Sequence, residues 1–220
     1  MKRFSLKYTL LTYRLDQLWF PLAFWVFFVI LTILLSNVEQ DFNIARAYIG
    51  VAVPLIGGIM AAYAILDDPA LELRFATPVR AAQILLERTT LIFLIQAVCA
   101  NTFLLFSLII GVDFSPLGNW VNLQLCWLLP TITLIALGTF GALIGAQTMV
   151  GSFLVGLVWF VELIIRDGMA VNNWKYAYIF MSILSPEHPD LASNQIALFA
   201  FTIAFLFVAW ALLRKQERYI

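Results

Sequence analysis

Long apolar stretches fill most of the chain, and the charges fall between them. Residues 17–38, 47–66, 89–112, 114–161 and 191–213 carry no Asp, Glu, Lys or Arg, which gives runs of 22, 20, 24, 48 and 23 positions. A helix needs roughly 20 apolar residues to cross a hydrocarbon layer about 30 Å thick. The run of 48 therefore holds two crossings, and its most polar interior point, Gln147-Thr148, predicts a tight turn. In lipid the backbone must satisfy its own hydrogen bonds within each segment, so runs of this length read as helices. The pattern predicts six spans, at about 17–38, 47–66, 89–112, 120–146, 149–165 and 191–213.

Composition agrees with that reading. The chain is 63% hydrophobic and 12% charged, with a mean hydropathy of +0.93. A soluble domain lies nearer 45–50% apolar and about 25% charged. The expected class is an all-α integral membrane protein, with 1–220 forming a single transmembrane domain. Thirteen basic and thirteen acidic residues balance to zero net charge, which argues against a nucleic-acid partner. Cys99 and Cys126 both lie in apolar runs and read as small core residues rather than a disulfide or metal pair. The first apolar stretch is too long for a signal sequence, and no small-residue cleavage site follows it, so that span is expected to be retained.

Basic residues set the orientation. With six spans both termini share a side, and that side carries Lys2, Arg3, Lys7, Arg14, Arg74, Arg80, Arg88, Arg214, Lys215 and Arg218. The opposite side carries only Arg46, Arg166 and Lys175. This asymmetry predicts cytoplasmic termini in a multi-pass protein of the cell (inner) membrane.

Three segments outside the spans carry pattern of their own. In residues 1–16, Phe4, Leu6, Tyr8, Leu11 and Leu15 alternate with Lys2, Arg3, Lys7 and Arg14. The mixture favours an interfacial amphipathic helix over a plain basic flank. Residues 67–88 form the largest polar block on the predicted cytoplasmic side. Asp68-Pro69 and Thr77-Pro78 are two successive helix-start signals. Leu71 and Phe75 share a face at i, i+4, and the second helix is expected to run through Arg80, Ile84 and Arg88 into the third span. A simple connector needs only a few residues. On the far side, 166–190 contains the apolar run Trp174–Leu184. That run is too short to cross, so a re-entrant or interfacial piece competes with a capping loop. Ser185-Pro186 to Pro189-Asp190 then breaks any helix before the last span.

Within the spans, Gly141 and Gly145 are spaced as GxxxG, and Ser152 and Gly156 form a similar small pair; close packing inside the molecule and dimerisation both fit this. Pro130 is expected to kink the fourth span. Gln96, Asn101, Asn122, Gln124 and Gln147 are expected to bond between helices. Catalytic motifs were not found: the sequence contains no GxxxxGK[ST], HExxH or GxSxG, and His188 is the only histidine. Glu162, four residues before Arg166, reads as a structural ion pair in preference to a substrate contact.

The combined pattern resembles the permease subunit of type-2 ATP-binding-cassette (ABC) transporters. The local match is LELRFATPVRAAQILLER at 71–88, with Glu72, Leu73, Pro78, Val79 and Arg80 in the positions that define it. The Pro-containing break ILSPEHP at 183–189 and the basic ending LLRKQER at 212–218 add to it. The resemblance implies a dimer of six-helix halves, homo- or heteromeric. It implies a cytoplasmic coupling helix between spans two and three that docks a separate ATPase subunit. Leu71, Glu72, Arg74, Phe75, Thr77, Pro78 and Arg80 would make that contact. ATP and Mg would belong to the partner, leaving no cofactor and no catalytic residue in this chain. The expected function is export of a hydrophobic or amphipathic substrate. A non-transporting membrane anchor or assembly subunit is the alternative, since the spans are poor in polar groups.

Overall fold

A computed structural model describes residues 16–35, 38–67, 81–171 and 173–214. The expected interfacial helix in 1–16 and the first part of the polar block, 68–80, lie outside the described residues apart from Asp16.

The described residues are helical and contain no strand. The elements are α1 (Asp16–Leu35), α2 (Val38–Ala47), a π-helical turn (Tyr48–Ala52), α3 (Val53–Leu66), α4 (Ala81–Ile109), α5 (Trp120–Gly145), α6 (Thr148–Ile164), α7 (Arg166–Val171), α8 (Met181–Leu184) and α9 (Leu191–Leu213). Short 3₁₀ turns occupy Ser115–Leu117 and Asn173–Ala177. Among the described residues, five stretches are long and apolar enough to cross a membrane: Leu18–Leu35, Gln40–Leu66, Leu85–Ile109, Trp120–Gly145 and Leu191–Leu213. The chain is thus a membrane-embedded helical protein. Thr148–Ile164 is apolar but shorter, at 17 residues.

Helix ends follow local chemistry. Gly111 adopts a positive φ of 91°, and the Val112 N–H returns to the Ser107 carbonyl at 3.0 Å, which stops α4. Asn119 caps α5 by accepting the Asn122 N–H at 2.9 Å. The turn between α5 and α6 falls at Ala146-Gln147, one residue before the Gln147-Thr148 pair at which the pattern placed it. Ala146 is left-handed (φ 50°), and the Gln147 N–H reaches the Ala142 carbonyl at 3.1 Å. α2 starts well before the charge-free run at 47, because charged residues can extend a helix beyond the apolar layer.

Pro54 sits at the start of α3. It has no N–H, and its ring would clash with the carbonyl of residue 50 in a regular helix. The wider π turn just before it relieves that clash. The Trp159 indole N–H donates to the Val51 carbonyl at 3.0 Å, pinning α6 to the irregular turn. α5 passes through Pro130 as one helix.

α3 and α5 form the centre: 72% of an apolar 18-residue window is buried within each of the Gln40–Leu66 and Trp120–Gly145 stretches, against 11% for Leu18–Leu35. Glycines bring the central backbones together. A methyl group at position 138 would lie 2.1 Å from the Gly58 carbonyl oxygen, and one at 151 would lie 2.6 Å from the Gly138 oxygen. Small residues permit such approach where lipid offers no hydrophobic drive between helices. Of the glycines singled out by spacing, Gly141 meets Gly151 and Gly145 meets Val150, so both serve packing inside the molecule. Gly156 has nothing within 4 Å. On the other flank, Tyr48 bridges α1 and α4, its ring 5.1 Å from Phe28 and 4.2 Å from Phe103.

Candidate functional site: an apolar cavity closed by the 166–190 segment

The segment after α6 folds back into the bundle. Tyr178, Ile179, Phe180, Met181 and Ile183 are all buried. They fit because the π turn presents Gly50 to them: a methyl group there would sit 2.3 Å from Ile183 Cγ1. The Cys126 thiol donates to the Ser182 carbonyl across 3.0 Å, tying the segment to α5 one turn before Pro130.

A buried irregular backbone must find partners for its polar groups, and side chains supply them here. Glu162 Oε2 accepts the Ile179 N–H at 2.8 Å, and the Phe180 backbone amide also interacts with that carboxylate. Asn194, at the start of α9, donates through Nδ2 to the Lys175 carbonyl at 2.6 Å and the Tyr178 carbonyl at 2.9 Å. Lys175 Nζ meets Asp190 Oδ2 at 2.7 Å. That hydrogen bond holds the Asp190 carboxyl below the ordinary carboxylate range and raises Lys175 above its own.

Glu162 therefore does not pair with Arg166, as the i, i+4 spacing suggested. The helix ends first: Ile165 leaves helical geometry at φ −96°, ψ 17°. Arg166 opens α7 instead and lies 3.4 Å from Asp167. Glu162 points inward and is 4% exposed.

Beneath this segment lies a cavity of about 720 Å³. α5 contributes Thr133 and Leu137; α6 contributes Leu157, Val158, Val161 and Glu162; α9 contributes Leu198, Phe201 and Phe205. Gly168, Met169, Trp174, Ala177 and Ile179 cover it. The hydroxyl of Thr133, in the cavity wall, lies 3.0 Å from that of Thr202. Each also lies within bonding distance of a carbonyl of its own helix, Leu129 at 2.8 Å and Leu198 at 2.9 Å. A hydroxyl has one proton to give, so one of the two donates to the other while its partner donates to its own helix. This volume falls in the range of ligand pockets, about 300–1,000 Å³. With one carboxylate and one hydroxyl in an otherwise apolar wall, the site can bind and orient a molecule. It lacks a paired nucleophile and base.

Leu71, Glu72, Arg74, Phe75, Thr77, Pro78 and Arg80 lie outside the described residues. From Ala81 onward the chain is one helix through Ile109, carrying a buried Arg88. Among the amides, Gln96 reaches another helix, Nε2 to Met60 Sδ at 3.2 Å. Asn101 bonds the Ala97 carbonyl of its own turn, and Gln124 accepts the Trp127 indole within α5, so the expectation of general interhelical bonding is corrected at these two. Asn194 and the Lys175–Asp190 pair were not singled out in the sequence. An amide just inside an apolar span, after a Pro-rich break, was the available signal for Asn194. Among the described residues no three His, Cys, Asp or Glu side chains converge. Compared with known proteins, the chain matches no family model, no curated protein and no solved structure.

Proposed function

We propose that the chain is the membrane-spanning permease subunit of an ABC transporter of the type-2 class, exporting a hydrophobic or amphipathic substrate with ATP hydrolysed on a separate subunit. One observation carries most of this reading. α4 runs without interruption from Ala81, within the polar block, to Ile109. A load applied to residues 67–80 would travel along one rigid rod into the apolar layer.

Thr148–Ile164 serves as the sixth crossing. Its 17 residues span roughly 26 Å at 1.5 Å per residue, near the lower limit for a hydrocarbon core. Six crossings put both termini and the polar block on the basic-rich, cytoplasmic face of the cell membrane. The 166–190 segment is then a re-entrant cap on the outer side. Leu71 and Phe75 would enter an apolar groove on the ATPase, with Glu72, Arg74, Thr77, Pro78 and Arg80 at its rim. A second permease chain completes the assembly.

The experiment is gentle extraction of the tagged protein from its own membrane. The expected result is co-purification of a subunit with a phosphate-loop motif, lost in Phe75→Asp and Arg80→Glu while the mutants remain folded. Retention of no ATPase by the wild type would overturn the reading. The poverty of polar groups in the spans also suits an anchor or assembly subunit. Stimulation of ATP hydrolysis by membrane-extracted compounds separates a transporter from an anchor.

A further inference from the structure

The cavity beneath the 166–190 segment opens sideways. Leu157, Val161 and Ile165 on one edge and Phe201 on the other are exposed apolar side chains. In a membrane-embedded chain such faces meet hydrocarbon, so an occupant reaches the cavity from the bilayer rather than from water. Glu162 lies in the last turn of α6, beside the exposed Trp174. Leu137, Leu198 and Phe205 give the wall apolar surface from α5 and α9.

Glu162 is the one ionisable residue in the wall. The nearest basic groups along the chain are already engaged, Arg166 with Asp167 at 3.4 Å and Lys175 with Asp190 at 2.7 Å. The Ile179 N–H occupies one acceptor direction on Glu162 Oε2, and a carboxylate offers about four. A cationic head group beside Glu162 would favour its ionised form and find a partner there, whereas an anionic one would disfavour that form and gain nothing.

We propose that this cavity binds a single-chain cationic amphiphile taken from the bilayer, with an ammonium head against Glu162 and an alkyl chain lying between α6 and α9 over Leu137. Binding itself does not need an ATPase. The further step, that such a molecule is the exported cargo, rests on the permease reading.

The test uses the full chain in phosphatidylcholine nanodiscs without any ATPase, labelled with a photoreactive dodecylamine. Adducts are expected on the peptides bearing Leu157–Ile165 and Leu198–Phe205. Unlabelled dodecylamine should compete about tenfold better than dodecyl sulfate, a difference of roughly 1.4 kcal/mol. Leu157→Trp, at the exposed edge and therefore tolerant of change, should remove these adducts. Glu162→Gln should keep them and erase the preference for amine over sulfate. Equal competition by the two head groups in the wild type would overturn the proposal. So would labelling spread over all lipid-facing helices and unchanged in Leu157→Trp. Because no ATPase is present, failure here leaves the co-purification experiment untouched, and failure there leaves this one interpretable.

Discussion

Gly138→Ala is the substitution expected to damage the fold most for its size. The added methyl would lie 2.1 Å from the Gly58 carbonyl oxygen and 3.0 Å from its carbon, whereas ordinary contact begins at 3.4 Å. The obstacle is the backbone of α3, which no rotamer change can clear. Sliding α5 away does not help, because Gly151 of α6 touches the same spot. Its own Cβ position is 2.6 Å from the Gly138 oxygen and 2.7 Å from the Ala142 nitrogen. Relief requires three helices to separate across a layer that includes the fully buried Ile56, Leu134 and Val155. Overpacking a filled core costs about 1–3 kcal/mol and occasionally more. A backbone obstacle with no free direction puts this case at the upper end, about 3 kcal/mol. Gly156→Ala is the matched control: nothing lies within 4 Å of it, and replacing a mid-helix glycine gains about 0.5–1 kcal/mol. The assay is equilibrium unfolding in mixed micelles titrated with sodium dodecyl sulfate, followed by tryptophan fluorescence. Equal midpoints for Gly138→Ala and wild type, or a larger loss for Gly156→Ala, would refute the three-helix contact.

Three further outcomes are expected. Glu162→Leu strands the Ile179 N–H inside the bundle, a loss of about 1–3 kcal/mol; limited trypsin digestion should then cut faster at Lys175, with Glu162→Gln close to wild type. Ala146→Gly relieves a left-handed alanine whose methyl is exposed, and should raise the unfolding midpoint by up to about 1 kcal/mol; a lowered midpoint counts against the turn geometry. The Lys175–Asp190 pair gives a pH dependence of known sign. Asp190 is held low by its hydrogen bond to Lys175, so its contribution is complete above the ordinary carboxylate range and fades as pH falls through the lowered value. Tryptic protection of the 166–190 segment should weaken on acidification by that route, and Asp190→Asn should flatten the response; an unchanged acid profile in Asp190→Asn would count against it.

How much of this was readable in advance depended on the range of the interaction. The tight turn was legible to within one residue, at Gln147-Thr148 for an observed Ala146-Gln147, because a polar pair interrupting a 48-residue apolar run has a local meaning. The GxxxG pair Gly141 and Gly145 marked α5 as a packing helix, but Gly138 and Gly58 carry the closest contact, and no spacing rule links residues on two different helices. Glu162 shows the same limit. Its neighbours in sequence suggested Arg166, yet the helix ends at Ile164 and the carboxylate serves a backbone amide 17 positions away.

By itself the sequence determined that this is a helical membrane protein and where its long apolar runs lie. Those properties follow from transfer of side chains between water and hydrocarbon, which each segment experiences independently. Tertiary structure alone decided which helices are central, that the 166–190 segment descends into the bundle, and that a cavity with a single carboxylate lies beneath it. Those depend on shape: gaps left by glycine on one helix, filled or not by side chains from another, and buried amides finding acceptors wherever the chain brings them.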